Sequence, residues 1–568
     1  MYTTESGDNA APEQAEPSVA RQRLAKKWVK RVLASKEHFK KDFERIQENT
    51  RLARTGGTKD QIKAKHYIAN LIQNFVRHKV AELYAKNPRV VAERRRRLDY
   101  KIWDGREESL QDALTQIQGA TQQGVDPAQA APQAAALIAD IVQAQQQQRM
   151  YDKLGKTLEI LLEYFMDAGA LTFKKRLKKL VRKTIVCGVG YVKLGYQRTM
   201  RSDPDIEQKL DDATERLQHM QRLKDEQSES EIMPDDAEAE ELRLMIADLQ
   251  QRKEVVLREG LTFTFLQARQ VIPDTEVTQL NGFIDARWIA VEHILPCEKV
   301  EEYYGVDLKG KKYTAYRSNG EKEANNGSSG ESNGEKTTYC AIYDIQDKES
   351  GLVYVVADGY DDFLQEPKEP DVYISTFWDI FALTFNEVEN EDDEDADGKR
   401  RVFPLADVEN LAPIQEAYNS NRQGVREHRA RNRPGFVGVK GRLDNEDKDK
   451  LTSNTVNAYI ELNSMKDGED VRKLIQAKPT APLDPNMYQV EELFTDFQRV
   501  GGLMDANLGN TGGATATENS IGENSRMTVA AANTDDLDEF LSDIARAAGE
   551  IMLSTMDPEA VTKIVGPG

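Results

Sequence analysis

Residues 411–434 have the sequence LAPIQEAYNSNRQGVREHRARNRP. Pro413 suits the first turn of a helix, where a missing backbone N–H removes no hydrogen bond, and Pro434 marks the helix end. A helix of about twenty residues is roughly 30 Å long. One stripe at heptad-like spacing is only half apolar and consists of Ile414, Tyr418, Asn421, Val425 and His428. Because such a stripe does not suit a dry core, we expect this helix to pack against copies of itself through polar contacts.

A second stripe on the same helix is offset from the first by one position and consists of arginines. Its members are Arg422, Arg426, Arg429 and Arg433. A stripe of this kind can face a nucleic acid, pair with acidic residues of a neighbouring helix, or be solvated. All three interpretations stay open at the level of sequence.

Upstream of this helix, the chain alternates between helical periodicity and breaks. The apolar spacing predicts helices at 19–54, 59–86, 151–167 and 172–186, and two more in the Ala/Gln-rich insertion 104–150. The helix at 172–186 has apolar residues on one face and a run of Lys and Arg on the other. For this basic face, and for the Arg run at 94–97, a solvated or subunit-facing surface is favoured over contact with nucleic acid.

The middle of the chain changes from helical to β patterning. Residues 203–258 are rich in Glu, Lys, Leu and Arg and predict an antiparallel helical hairpin. Alternating patterns then predict strands at 261–265 and 287–292. The runs TYCAIYD (338–344) and LVYVV (352–356), joined by the turn-rich DKESG, predict a β-hairpin. With helices before and after these strands, the predicted fold class is α+β.

The last third of the chain is mixed. Strands are predicted at 436–439 and 458–462, and a helix at 487–500. A polar, glycine-rich loop follows at 501–513, and a long helix is predicted at 524–556.

The bulk composition bounds the class of protein. The 568 residues carry a formal net charge of −20, with a pI near 5.0 and a mean hydropathy of −0.66. An acidic balance argues against tight, static binding of DNA and not against a passage through which DNA slides, but ordinary solubility is the favoured explanation of the charge. Three separated cysteines predict a reducing compartment and neither zinc nor disulfides. We expect no secretory signal, no transmembrane helix and no membrane partner.

Two motifs imitate ligand sites, and both depart from the pattern. GVDLKGKK (305–312) has phosphate-loop spacing, but Lys312 stands where a hydroxyl must hold Mg²⁺. DEDADG (393–398) copies the first half of a calcium loop, but Pro404 occupies the position of the bidentate Glu. No nucleophile or general-base signature accompanies them. We therefore expect no enzyme activity, no catalytic residues, no metal and no cofactor.

Four stretches, in this order, resemble the portal (head-to-tail connector) proteins of tailed bacteriophages, especially the larger type of short-tailed phages. They are YIANLIQNFV (67–76) with KNP after it, LVRKTIVCGVGYVK (180–193), YDIQDK (343–348) with VYVV and the helix to Arg431, and GNTGG (509–513) followed by ENSIGENSRM. The resemblance covers about residues 60–556 and consists of element order and loose motifs.

The resemblance implies an elongated α+β subunit with a helical wing, a long stem helix and a small β-containing clip. The implied divisions are an N-terminal extension, partly disordered (1–58), a wing (59–300, with helical insertions 104–150 and 203–258), a clip region (301–402), the stem helix (403–433), a wing return with the tunnel loop (434–530) and a C-terminal helix or short crown (531–568).

The implied assembly is a dodecameric ring at the portal vertex of the virion, built in the host cytoplasm. Its implied partners are double-stranded DNA passing without sequence preference, the terminase large subunit, the capsid protein and tail adaptor proteins. The loop is expected to contact or gate DNA through Asp505, Asn507, Asn510, Thr511 and Thr515. Two rival interpretations are a coiled-coil-rich scaffolding protein, which would not form closed rings, and a nucleic-acid-processing enzyme.

Overall fold

The computed structural model describes most of the chain in segments. The described residues are 19–83, 90–92, 101–103, 106–122, 127–167, 173–202, 216, 246, 254–306, 314, 339–387, 401–433, 435–453, 459–466, 468–480, 482, 484–502 and 516–566. Within them the fold is α+β, as predicted from the sequence.

Helices occur along the whole described chain. Their bounds are α1 Val19–His38, α2 Lys40–Thr55, α3 Lys59–Lys63, α4 Leu71–Leu83, α5 Glu107–Gln122, α6 Pro127–Ala130, α7 Pro132–Asp167, α8 Phe173–Cys187, α9 Cys297–Tyr304, α10 Asp407–Arg431, α11 Asn445–Thr452, α12 Val471–Leu474, α13 Glu491–Val500, α14 Ala516–Thr555 and α15 Pro558–Val565.

The strands form antiparallel sheets. Their bounds are β1 Val189–Ser202, β2 Glu254–Leu266, β3 Val271–Pro273, β4 Trp288–Pro296, β5 Tyr339–Asp347, β6 Leu352–Ala357, β7 Phe363–Lys368, β8 Ile380–Thr384, β9 Phe436–Gly438 and β10 Ile475–Ala477. The strand orders are β3-β4-β5-β6-β7, β2-β1-β8 and β10-β9.

The hairpin of β5 and β6 is confirmed, and its turn chemistry explains why. The carboxylate of Asp347 accepts hydrogen bonds from the backbone N–H groups of Glu349 and Ser350. Gly351 closes the turn with a φ of 71°, a left-handed conformation that glycine adopts at little cost. Local residues therefore fix the register of this hairpin.

The N-terminal helices belong to the main core. Trp28 of α1 packs between Trp288 of β4 and Tyr354 of β6, with ring centroids 6.0 and 5.2 Å away. The hydroxyl of Ser35 donates to the carbonyl of Pro273 at 2.6 Å. Helix α1 thus packs on the five-stranded sheet, and Leu52 of α2 is buried in a second hydrophobic core, so both helices belong to the packed part of the chain.

The three-stranded sheet lies against the second core, which helices α4, α7, α8 and the second half of α14 build. Helix α8 crosses β1 closely because Gly190 has no side chain. A Cβ built there would lie 2.6 Å from Oγ1 of Thr184 and 2.8 Å from Cδ1 of Leu180. Leu177, Leu180 and Val181 are buried in this contact.

The five-stranded sheet extends across the division predicted at 300/301. Strand β4 pairs with β5 from Trp288↔Asp347 to Pro296↔Tyr339, so the two sides of this division share one sheet. Strand β8, also placed in the clip, pairs with β1 of the other sheet. The described strands of the region 301–402 are therefore joined to strands of the region 59–300, and the assignment of 301–402 to a clip stays a prediction.

Several element bounds also need correction. The single helix predicted at 59–86 is two helices, α3 and α4, because residues 64–70 leave the helical path. The helix predicted to start at 151 is the continuation of α7. No strand occurs at 459–462, and the long last helix begins at Ala516. Of the hairpin predicted at 203–258, residues 254–258 belong to β2, Arg216 and Ile246 are helical, and the rest lies outside the described residues.

Candidate nucleic-acid interface

Helix α10 carries the predicted stem arginines on a face that changes character along its length. Residues on this face recur at spacings of three and four: Val408, Leu411, Gln415, Asn419, Arg422, Arg426 and Arg429. Such spacing keeps side chains on one side of a helix. The first four are buried and the three arginines are exposed. The helix is therefore anchored by its first half and presents cations on its second.

Gln415 is the first polar anchor. Its side-chain oxygen accepts from the backbone N–H of Leu71 at 3.0 Å, and its amide nitrogen donates to the carbonyl of Ala69 at 2.7 Å. The same nitrogen donates to Oδ1 of Asn419 at 3.0 Å. A fully buried amide is thus satisfied by the residues that lead into α4.

Asn419 is the second anchor and lies one turn further along. Its amide nitrogen donates to the carbonyl of Gly56 at 2.7 Å, and its oxygen accepts from the backbone N–H of Ala69 at 3.2 Å. These bonds hold residues 64–70, which we call the strap, against α10. The strap backbone leaves the helical path because its polar groups bond to side chains of α10 instead.

The stripe predicted to pack against other copies does not form the anchoring face. Ile414 is partly buried beside the core, while Asn421 and His428 face the segment that follows α12. The buried face is the one that also carries the arginines, and it packs against the protein's own strap. Pro413 lies in the second turn of α10, where its ring removes the bond to the carbonyl of Glu409.

The arginines continue the helix face of the buried amides at the same spacing of three and four residues. Arg422 and Arg429 are seven residues apart, which is about 10 Å along the axis. The guanidinium of Arg422 lies 5.6 Å from the ring centroid of Tyr67 in the strap. Arg433 lies two residues beyond the helix end and is also exposed. None of the four forms an ion pair with another residue that the structure describes.

The opposite side of the exposed half is braced. Gly424 lies against Tyr488, since a Cβ at this position would meet Cε1 of that ring at 2.6 Å. Asn421 donates to the carbonyl of Gln489 at 3.3 Å. The arginine half is therefore supported from behind while its charged face stays open.

The loop residues predicted to contact DNA, Asp505, Asn507, Asn510, Thr511 and Thr515, lie outside the described residues. The structure does describe the chain up to Gly502. Gly501 lies against Phe75 of α4, where a Cβ would meet the ring at 3.1 Å. The loop is thus entered from the same core that anchors α10.

One buried charged network occurs away from these residues. Lys193 of β1 donates to Asp344 at 2.8 Å and lies 3.7 Å from Asp379. Burial alone would lower the pKa of Lys193, but Asp379 and Asp344 outweigh it, so the pKa of Lys193 is raised. Gln346 also donates to Asp379 at 2.6 Å. The network joins β1 of the three-stranded sheet to β5 of the five-stranded sheet, so we assign it to the fold.

The chemistry available at α10 is ionic. Planar guanidinium groups bind phosphate or carboxylate oxygens through paired N–H donors. Among the described residues no group of three or more His, Cys, Asp or Glu side chains is placed to hold a metal ion. No described helix is long and apolar enough to cross a membrane.

Neither the protein-family models nor the curated proteins contain a match to this chain.

The sequence analysis singled out the arginines of α10, which are exposed, and missed the buried amides. Gln415 and Asn419 differ from solvated polar residues only in their spacing, which continues the buried positions Val408 and Leu411 into the arginine stripe. That 3-4 progression is the signal that could have identified the anchoring face.

Proposed function

We propose that this chain is a portal-type subunit whose copies form a closed ring, with α10 lining a channel for double-stranded DNA. The observation that carries the proposal is the arginine half of α10: exposed, braced from behind and unpaired among the described residues, on a helix anchored by buried amides. The sequence resemblance to tailed-phage portal proteins supplies the assembly.

Anchoring matters because a wall that guides DNA must hold its shape. The bonds of Gln415 and Asn419 fix α10 against the body, so the arginines are presented at defined heights along one axis. In a ring of subunits, the copies of each arginine lie at one height along the channel axis. The successive arginines of α10 therefore form a stack of positively charged rings. Phosphates of any sequence meet the same charges, so passage is independent of sequence.

The acidic character of the chain limits the strength of that contact. Each neutralised phosphate adds salt-dependent affinity, so many cations would hold the duplex. A few arginines on a chain of net charge −20 give weak, repeated contacts that permit sliding. The proposed setting is the portal vertex of a virion, after assembly in the host cytoplasm, with the terminase large subunit, capsid protein and tail adaptors as partners and twelve subunits in the ring.

The loop around Asp505, Asn507, Asn510, Thr511 and Thr515 is part of the same proposal. Its polar, glycine-rich sequence suits brief contact with a passing duplex or closure behind it.

The test replaces Arg422, Arg426 and Arg429 together with Gln. We expect rings to assemble normally, because no described ion pair is lost, and DNA packaging or retention to fall. The control replaces Arg23, Arg54 and Arg77, three exposed arginines of α1, α2 and α4, with Gln. Packaging assays on particles built with each variant give the readout.

Two results would remove the proposal. One is normal packaging by the α10 variant in particles that contain it. The other is an equal loss in both variants, which would show that total charge matters and the position of the arginines does not.

A further inference from the structure

The exposed surface of α8 consists entirely of Lys and Arg. The exposed positions are Lys174, Lys175, Lys178, Lys179 and Arg182. The opposite face, with Leu177, Leu180, Val181 and Ile185, is buried in the second core. Helix α8 is therefore a rigid, core-mounted support for a basic surface, which we call the α8 basic face and define by these five residues.

Two further cations of α8 have a different role. Arg176 donates to the carbonyl of Phe263 at 3.0 Å, and Lys183 donates to the carbonyl of Leu266 at 3.2 Å. Both are partly buried and tie α8 to β2. The fold thus uses two of the seven cations, and the remaining five need another explanation.

Folding alone does not favour the α8 basic face. Lys174 and Lys178, Lys175 and Lys179, and Lys178 and Arg182 are like charges four residues apart, an arrangement that destabilises a helix. Burial, together with the neighbouring charge of Lys179, lowers the pKa of Lys183. None of the five forms an ion pair with a residue that the structure describes.

The composition of this face distinguishes a nucleic acid from a protein partner. Protein interfaces are depleted in Lys and depend on aromatic or apolar anchors in their centre. The α8 basic face has no exposed apolar or aromatic residue, and no Asn or Gln that could read a base edge. A row of cations without anchors matches a row of phosphates, whose binding depends on charge alone.

We propose that the α8 basic face binds the phosphate backbone of duplex nucleic acid without sequence preference. This surface lies on a different helix from the arginines of α10 and does not depend on ring formation. The proposal therefore adds a second contact with nucleic acid to the proposed function and stands if the channel proposal fails.

The test measures binding of a short, mixed-sequence DNA duplex to the full chain by fluorescence anisotropy across a series of salt concentrations. The variant replaces Lys175, Lys178 and Lys179 with Gln. We expect about tenfold weaker binding at low salt, and a slope of log K against log salt that is shallower by about two to three. A second variant with Arg at the same three positions keeps the charges and should bind like the original protein.

The control variant replaces Lys27, Lys30 and Lys63 with Gln. These lysines are exposed on α1 and α3. Their replacement removes the same number of positive charges from another part of the surface, so DNA binding should be unchanged. The measurement is repeated with Arg422, Arg426 and Arg429 already replaced by Gln. A persisting effect of the α8 variant there separates this surface from the channel.

Three outcomes would overturn the proposal. Unchanged binding by the α8 Gln variant is the first, and equal weakening by the control variant is the second. The third is displacement of the duplex by poly-glutamate at equal charge concentration, which would assign the surface to an acidic protein partner. An unaltered far-ultraviolet circular dichroism spectrum confirms that each variant is folded.

Discussion

At the scale of single residues, the amide of Asn419 ties α10 to two other segments of the chain. Replacing Asn419 with Ala leaves the carbonyl of Gly56 and the N–H of Ala69 without their partner in a buried place. We expect the free energy of unfolding to fall by about 2–3 kcal/mol, because each unsatisfied buried group carries a desolvation penalty. Chemical denaturation measures this loss.

Asn421, two residues further along the same helix, is the matched control. It is half-buried and donates one hydrogen bond of 3.3 Å to Gln489. Replacing Asn421 with Ala should change stability by well under the loss at Asn419. Equal effects at the two positions would mean that the amide network does not anchor α10.

A second prediction at this scale concerns Cys340. Burial, reinforced by the neighbouring Cys297, raises the pKa of the Cys340 thiol to about 12. The thiol is therefore protonated at neutral pH, and only the thiolate reacts quickly. We expect Cys340 to resist iodoacetamide at pH 8 in the native protein and to be alkylated in denaturant, as read by mass spectrometry. Rapid native labelling would contradict its assigned position in the core.

The sequence predicted the charged residues of α10 better than the neutral ones. Arg422, Arg426 and Arg429 stand out by charge, and their exposure follows from the cost of burying a guanidinium without a partner. Gln415 and Asn419 are buried because the strap supplies their partners. Those partners are backbone groups about 350 residues earlier in the chain, and no local pattern shows them.

At the scale of elements, the crossing of α8 over β1 depends on Gly190. Replacing Gly190 with Ala puts a methyl group 2.6 Å from Oγ1 of Thr184. We expect a loss of about 1–3 kcal/mol in unfolding free energy, because helix and strand must move apart or Leu180 must leave its rotamer. Thermal and chemical denaturation measure the change.

Gly549 of α14 provides the contrast. A Cβ there meets no atom within 4 Å, and the residue lies inside a helix. Replacing Gly549 with Ala should stabilise the protein by about 0.5–1 kcal/mol. Opposite signs for the two substitutions support the packing of α8 on β1, and stabilisation at Gly190 would refute it.

Local chemistry determined which elements could be predicted. The hairpin of β5 and β6 follows from alternating apolar residues and a turn that Asp347 and Gly351 stabilise. The break between α3 and α4 could not be predicted, because Ile68 and Leu71 continue the helical periodicity through it. Tertiary bonds to α10 overrode the local pattern there.

At the scale of the whole molecule, the α+β class was predictable from the sequence, whereas the strand pairings that join distant segments were not. Pairing of β4 with β5 joins residues on either side of the segment between Val306 and Tyr339. Pairing of β8 with β1 joins residues almost two hundred positions apart. The amino-acid composition shows which segments of the chain are polar. Which segments fold together is determined by long-range strand pairing, and composition does not show that pairing.

Charge is also organised at this scale. The chain is acidic as a whole, yet the α8 basic face and the arginine half of α10 each present a group of exposed cations on one side of a helix. Both helices are mounted on the second core. Such groups of cations on an acidic chain suit weak contact with a polyanion at defined places.

The most direct measurement of the central claim is the assembly of the purified chain, by mass photometry together with negative-stain electron microscopy. The account predicts closed rings with a central hole, and a mass that is a whole multiple of the 64.1 kDa subunit. A 64.1 kDa particle that stays monomeric at every concentration, with or without duplex DNA, would contradict it.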